Sequence, residues 1–229
     1  MSTGRTEDVI WLRPEQASVG RPAERSRAEI TAAAVDLADR EGLDAVSMRR
    51  LAGELGTGAA SLYRYLATRD DLLDLMTDAT AAEYALAPPS GDWLADLVEV
   101  GRQARAIMRR HPWLPALVAA RPTLGPNGAG LLEHVLAVLA DHPAAAATKL
   151  EAFAMLNAVA TALMQHELGG GEAAQQRQAA YLWHLAQQGE HPHLAELVGR
   201  LAPAAGPTDR ADDILARVLR GILEAGPAH

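Results

Sequence analysis

The chain has 229 residues, no cysteine and a formal net charge of −8. That length allows one large or two small domains with a proper core, and the missing cysteine excludes disulfides, thiolate catalysis, thiol redox sensing and Cys-ligated zinc. The acidic balance argues against indiscriminate nucleic-acid binding, because the field of the whole protein repels phosphate. No apolar run approaches the ~20 residues of a membrane span, and the first residues lack a signal-peptide layout, so a cytoplasmic protein with no membrane partner is expected.

Residues 1–24 lack a sustained period and contain Gly4, Pro14, Gly20 and Pro22, which reads as a flexible arm. Val9-Ile10-Trp11-Leu12 is an apolar exception that suits docking on the body or on a partner subunit. Arg13, Arg21 and Arg25 either reach a minor groove or belong to a solvated tail. Ser26-Arg-Ala-Glu29 is a capping box, followed by the stripe Ile30, Ala33, Ala34, Leu37 and Ala38 up to a stop at Gly42.

Ser47 then caps a helix in which Met48, Leu51, Ala52 and Leu55 share one face. Gly56 ends that helix where a left-handed residue is needed, and Gly58 follows. The next short helix offers Leu62 and Leu66 to the core and leaves Ala59, Ala60, Ser61, Tyr63, Arg64 and Tyr65 outward. A small residue at the crossing (Ala52), a glycine at the turn (Gly56) and an apolar residue facing back (Leu62) are what a helix-turn-helix requires; an ordinary helical hairpin meets part of the same pattern. Between Ala45 and Arg69 the charges are Arg49, Arg50, Arg64 and Arg69 against Glu54, a local excess of +3 on an acidic body. Thr68 caps a further helix, with Asp70 and Asp71 complementing its dipole, which carries Leu72, Leu73, Leu75 and Met76 towards Tyr84 before Pro88-Pro89-Ser90-Gly91.

Residues 26–76 resemble the DNA-binding domain of the tetracycline-repressor (TetR) family of transcription regulators. The resemblance rests on Glu41-Gly42-Leu43, Ser47 to Ala52, Leu55-Gly56, Ser61 to Leu66 and Arg69-Asp-Asp-Leu72-Leu73. It implies that Arg49 and the outward side of residues 59–64 face base edges, and that Ser47, Tyr63, Tyr65 and Arg69 hold phosphates. Ala59 and Ala60 then contribute thymine-methyl contact or close approach, leaving Arg49, Ser61 and Arg64 to specify sequence.

From Asp92 onward the pattern is helical, with helices expected at 92–110, 113–120, 127–140, 144–168, 172–188, 191–201 and 208–225. The expected fold is all-α: an arm (1–24), a three-helix helix-turn-helix domain (25–70), and a helical-bundle domain for ligand binding and dimerisation (71–226) entered through a connector helix (71–86). His111-Pro-Trp-Leu and Ala119 to Asn127 resemble the C-terminal domain of the tetracycline repressor's own branch, which implies that a helix ending at Arg121-Pro122 lies beside the ligand and shifts on induction. Leu117 stands where tetracycline-binding members carry a metal-holding histidine, so neither magnesium-tetracycline nor any cofactor or metal is expected.

Met108, Trp113, Leu117, Arg121, His134, Met155 and Asn157 combine apolar bulk with a few polar groups and are the candidate pocket residues. Asn157, inside an apolar run, needs a partner that is either a ligand or the symmetry-related chain. Family resemblance implies a homodimer through the helices near 144–168 and 208–225, and hence a palindromic DNA operator with half-sites about one helical turn, roughly 34–36 Å, apart. No catalytic arrangement emerges: His166-Glu167 lacks a second zincin histidine, His191-Pro-His193 lacks a third ligand and Gly169-Gly-Gly171 follows no strand. The expected function is repression of transcription, relieved by a small, largely apolar effector; a helical small-molecule carrier is the alternative.

Overall fold

The computed structural model describes residues 9–14, 25–121, 123–169, 172–200 and 210–224. Its helices are α1 (Arg27–Glu41), α2 (Met48–Glu54), α3 (Ala59–Leu62), α4 (Arg69–Ala81), α5 (Trp93–Arg110), α6 (Leu114–Ala120), α7 (Pro126–Val138), α8 (Ala146–Gly169), α9 (Glu172–Gln187), α10 (Pro192–Arg200) and α11 (Ala211–Leu223). No strand occurs among the described residues, and none of these helices is long and apolar enough to cross a membrane. Each helix expected beyond Asp92 forms, with ends displaced by at most three residues.

Local signals set the helix starts. The Ser26 hydroxyl accepts from the Glu29 N–H at 3.1 Å while the Glu29 carboxylate accepts from the Ser26 N–H at 2.9 Å. Thr68 and Asp71 repeat this box at α4, at 3.0 and 2.9 Å. Such caps contribute about 1 kcal/mol each. Gly42 and Gly56 adopt φ of +86° and +63°, where a Cβ would be strained.

Two apolar cores hold the molecule. The first joins Ile30, Leu37, Leu51, Leu62, Leu66, Leu72 and Met76 to Met108, Trp113, Leu114, Leu117 and Met164, so it runs from the helix-turn-helix through α4 into the C-terminal bundle. The second gathers Leu97, Val100, Leu131, Val135, Leu139 and Leu156 with Leu215, Leu219 and Leu223 of α11.

The connector is shorter than the expected 71–86. Helix α4 ends at Ala81, and Tyr84 to Ser90 take no helical form. The Gln103 side chain captures both backbone groups of Ala85, accepting from its N–H at 2.8 Å and donating to its carbonyl at 3.2 Å, which lays this segment along α5 instead. Most of the arm, including Gly4, Arg21 and Pro22, lies outside the described residues, but Ile10–Leu12 forms a short 3-10 turn docked on the body with Ile10 fully buried. Arg13 pairs with Asp71, and Arg27 donates to the carbonyls of Ile10, Arg13 and Pro14. Arg25 donates to the Leu55 carbonyl at 2.8 Å. Arg13 and Arg25 are therefore tied to the body.

Candidate DNA-binding face and effector cavity

The Ser47 hydroxyl accepts from the Arg50 N–H at 3.2 Å and starts α2. After Gly56, the Thr57 N–H bonds the Ala52 carbonyl at 2.9 Å, and Gly58 opens α3. Leu62, fully buried, anchors α3 against Ala52 and Leu51. This anchoring leaves Ala60, Tyr63 and Arg64 exposed and Ser61 half-buried, with Arg49 exposed on α2. Arg69 is exposed at the start of α4, steadied by its Nε donating to the Val46 carbonyl at 3.2 Å.

Two expected members of this face differ. Tyr65 is 5% exposed and packs in the first core, and Ala59 is half-buried against the same core. Tyr65 lies three residues after Leu62 and next to Leu66, on the side that the i, i+3 spacing already turns inward, so its ring joins those two leucines in the core. Tyr65 meets the α1 side of the fold through its carbonyl, which accepts from Arg27 Nε at 3.0 Å.

Charge pairing sorts the arginines of this region. Arg50 is bound to Glu41 at 2.7 Å, and Arg40 to Asp36 and Glu54 at 3.0 and 2.8 Å. Arg49 and Arg64 form no ion pair among the described residues. Their guanidinium groups remain available to an anion.

In the C-terminal half, α4 to α8 enclose a mainly apolar cavity of about 730 Å³, a volume suited to a drug-sized molecule. Ile107, Met108, Leu114, Val118, Leu131 and Phe153 form its apolar wall. Of the residues singled out in the sequence, Met108, Arg121 and Asn157 lie on the wall. Trp113 and Leu117 do not: both are buried in the first core, and the Trp113 indole donates to Asp39 at 2.6 Å. His134 is half-buried off the wall, and Met155, two residues and therefore about 200° before Asn157 on α8, is 45% exposed on the opposite face. Thr77, Thr80, Tyr84, Thr161 and Gln165 are wall residues that the sequence reading missed. The four-residue spacing of Asn157, Thr161 and Gln165 in an apolar helix was the available signal for two of them.

Residues 30–76 match the family model described as bacterial regulatory proteins, tetR family, and residues 86–225 match the tetracyclin repressor-like C-terminal domain. The chain belongs to the TetR family. An HTH-type transcriptional regulator of Saccharopolyspora erythraea is 41% identical over 133 residues, covering 58% of this chain and 56% of the relative. The HTH-type transcriptional repressor DrrR1 of Streptomyces coeruleorubidus is 40% identical over 137 residues, covering 59% and 51%. The chain thus spans little more than half the length of these curated relatives. Apo ActR of Streptomyces coelicolor superposes with a TM-score of 0.77 at 30% identity, covering 89% of this chain and 97% of that one. ActR in complex with actinorhodin gives 0.75 at 29%, covering 90% and 100%.

In this TetR-family chain α4 is the physical link between the two regions. Arg121, at the end of α6, pairs with Asp70 at 2.9 Å and Asp74 at 3.3 Å; Pro122 of the Arg-Pro step lies outside the described residues. One turn further along α4, Asp78 accepts from the N–H of Gly128 at 2.9 Å and from the Asn127 amide at 3.1 Å, capping α7. The end of α5 touches α1 directly: His111 places its two ring nitrogens 2.7 Å from Asp39 and 2.7 Å from Glu83.

Proposed function

We propose that the protein is a homodimeric, DNA-binding repressor of transcription, released from a palindromic operator when a small, largely apolar effector fills the cavity. The observation that carries this reading is the continuity of α4. Its N-terminal residues Arg69 and Asp71 belong to the helix-turn-helix core region, whereas Thr77 and Thr80 near its C-terminal end line the cavity. Arg49, Ser61, Tyr63 and Arg64 supply the outward groups for base and phosphate contact. The repressor name of DrrR1 and the actinorhodin complex of ActR support the two halves of the reading.

An effector that prefers one placement of α6 and α7 biases α4 through the Arg121 and Asp78 ties, and the separation of the two recognition helices changes with it. Only a difference in affinity for the two placements drives this shift. The dimer pairs through α8 and α11, and its two-fold axis demands half-sites about one helical turn apart. The test is a gel shift against the DNA upstream of the protein's own coding region, with a salt titration. A band that is lost steeply with salt, and that random duplex forms far less readily, is expected. Equal affinity for both duplexes, or none for either, overturns the reading and leaves a helical small-molecule carrier.

A further inference from the structure

The apolar cavity carries two strips of polar side chains on two different helices. Thr77 and Thr80 lie near the end of α4, with Tyr84 just beyond. Asn157, Thr161 and Gln165 recur every four residues on α8 and form one stripe. Helix α4 packs on α1, α6 and α7, while α8 packs on α5, α6, α7 and α11, so the strips sit on different walls.

Their hydrogen bonds to the protein fix what remains for a ligand. Thr77 Oγ1 donates to the Leu73 carbonyl at 3.0 Å and Thr80 Oγ1 to the Thr77 carbonyl at 2.8 Å. Each hydroxyl has one proton, so both oxygens can now only accept. Asn157 Nδ2 donates to the Phe153 carbonyl at 2.9 Å and Gln165 Nε2 to the Pro115 carbonyl at 3.4 Å, which leaves Oδ1 and Oε1 without a donor among the described residues and one further N–H on each amide. The Thr161 hydroxyl is the reverse case. Thr161 is 5% exposed, and its hydroxyl finds no partner among the described residues. A buried orphan of this kind is costly until a partner arrives. Burial also pushes the Tyr84 phenol upward, so it stays protonated.

Charge is excluded on similar grounds. Arg121 is the one ionic residue on the described wall; Asp70 and Asp74 face its two terminal nitrogens at 2.9 and 3.3 Å and offset its charge, and only its Nε is left buried without a partner among the described residues. A charged ligand would be buried without a counter-ion.

Resting on the effector reading above, we propose that the cavity selects an uncharged compound bearing hydroxyl or amino protons on two sides. Those protons meet the Thr77 and Thr80 oxygens on one side and the Asn157 and Gln165 carbonyls on the other, and an acceptor on the compound satisfies Thr161.

Fluorescence titration of the full chain with three stilbenes tests this: the para-dihydroxy compound, its dimethyl ether, and the corresponding dicarboxylate. The diol is expected to saturate with a Kd about tenfold below that of the ether, and the dicarboxylate not to saturate. Asn157→Leu should weaken the diol about threefold or more and the ether less, whereas Thr161→Val, which removes a hydroxyl that the oxygens of either compound can meet, should weaken both, and Thr161→Ser, which keeps the hydroxyl, should restore both. Circular-dichroism melts confirm that each variant is folded. Equal binding of diol and ether overturns the proton rule but spares the effector cavity, and tight dicarboxylate binding overturns neutrality. A diol preference that Asn157→Leu leaves unchanged, or diol and ether affinities that Thr161→Val leaves unchanged, remove the assignment to these strips. Failure of all three stilbenes to saturate overturns the cavity reading together with this proposal.

Discussion

Arg49 and Arg50 are adjacent and both exposed, yet their circumstances differ. Arg50 is shared between Glu41 and Glu54, a surface arrangement contributing at most about 1 kcal/mol, while Arg49 has no such partner among the described residues. We therefore expect Arg49→Ala to relax discrimination between operator and scrambled duplex by about 1–3 kcal/mol per half-site, measured by gel shift. Arg69→Ala should weaken both duplexes alike and lower the salt slope by about one unit. Equal losses on the two duplexes for Arg49→Ala would refute its role in base reading. A second residue-scale expectation concerns Glu83. Burial works against its ionisation, but hydrogen bonds from Arg110 and His111 outweigh that effect and hold its carboxyl below the ordinary value of 4.5. A depressed carboxyl contributes stability above the unfolded pKa and loses it as pH falls through the folded one. Glu83→Gln should accordingly lower Tm near neutral pH, and the gap to the wild type should close below about pH 4. A gap that stays constant down to about pH 3 contradicts the linkage. At this scale the caps Ser26, Ser47 and Thr68 were legible in the sequence because capping is a contact within four residues. The Asp39–His111–Glu83 bridge was not, since its members lie 72 and 28 positions apart.

Among the elements, α4 draws together what the sequence displayed only as a run of acids. Asp70 and Asp71 looked like dipole partners of a helix start, and Asp71 does serve the Thr68 cap. The same helix also uses Asp71 to hold Arg13, Asp70 and Asp74 to hold Arg121, and Asp78 to cap α7, so three separate segments are fastened along one edge of it. Asp71 and Asp78 are buried where these segments stand against α4, a burial that the local pattern of acids could not show. A tight junction on α4 is Gly125, where a Cβ would come within 2.4 Å of both Asp78 Cγ and the Trp11 ring. Gly125→Ala is expected to cost about 1–3 kcal/mol and lower Tm by several degrees, with a change in tryptophan fluorescence as Trp11 is displaced. An unchanged melt would show that this junction yields easily. The expected connector of 71–86 failed for a related reason: Gln103, eighteen residues from Ala85, takes its backbone groups, a competition invisible to local propensity.

For the whole molecule, helix order and approximate bounds could be read from the sequence, but the cavity could not, because its wall is assembled from five helices that are far apart in the chain. The apolar face of α11 shows the same limit and leads to a sharper expectation. The segment 208–225, expected to pair in the dimer, carries Ile214, Leu215, Val218, Leu219, Ile222 and Leu223 as its large apolar residues. In the fold Leu215, Leu219 and Leu223 are buried in the chain's own second core. Ile214, Val218 and Ile222, spaced by four residues, stay only half-buried, while Leu150 and Met155 are 49% and 45% exposed on the neighbouring α8. The two jobs are thus divided between two faces of one helix, and they can be separated by mutation. Val218→Glu places a charge on the half-open face without touching the inward leucines. If α8 and α11 form the proposed interface, light scattering will report a monomer at concentrations where the wild type is a dimer. Operator affinity will then fall by about 100-fold or more, because two half-sites lose their linkage. Helical content should be retained, since the second core is intact. A dimer that persists in Val218→Glu moves the interface to another surface and removes the geometric basis for the expected half-site spacing.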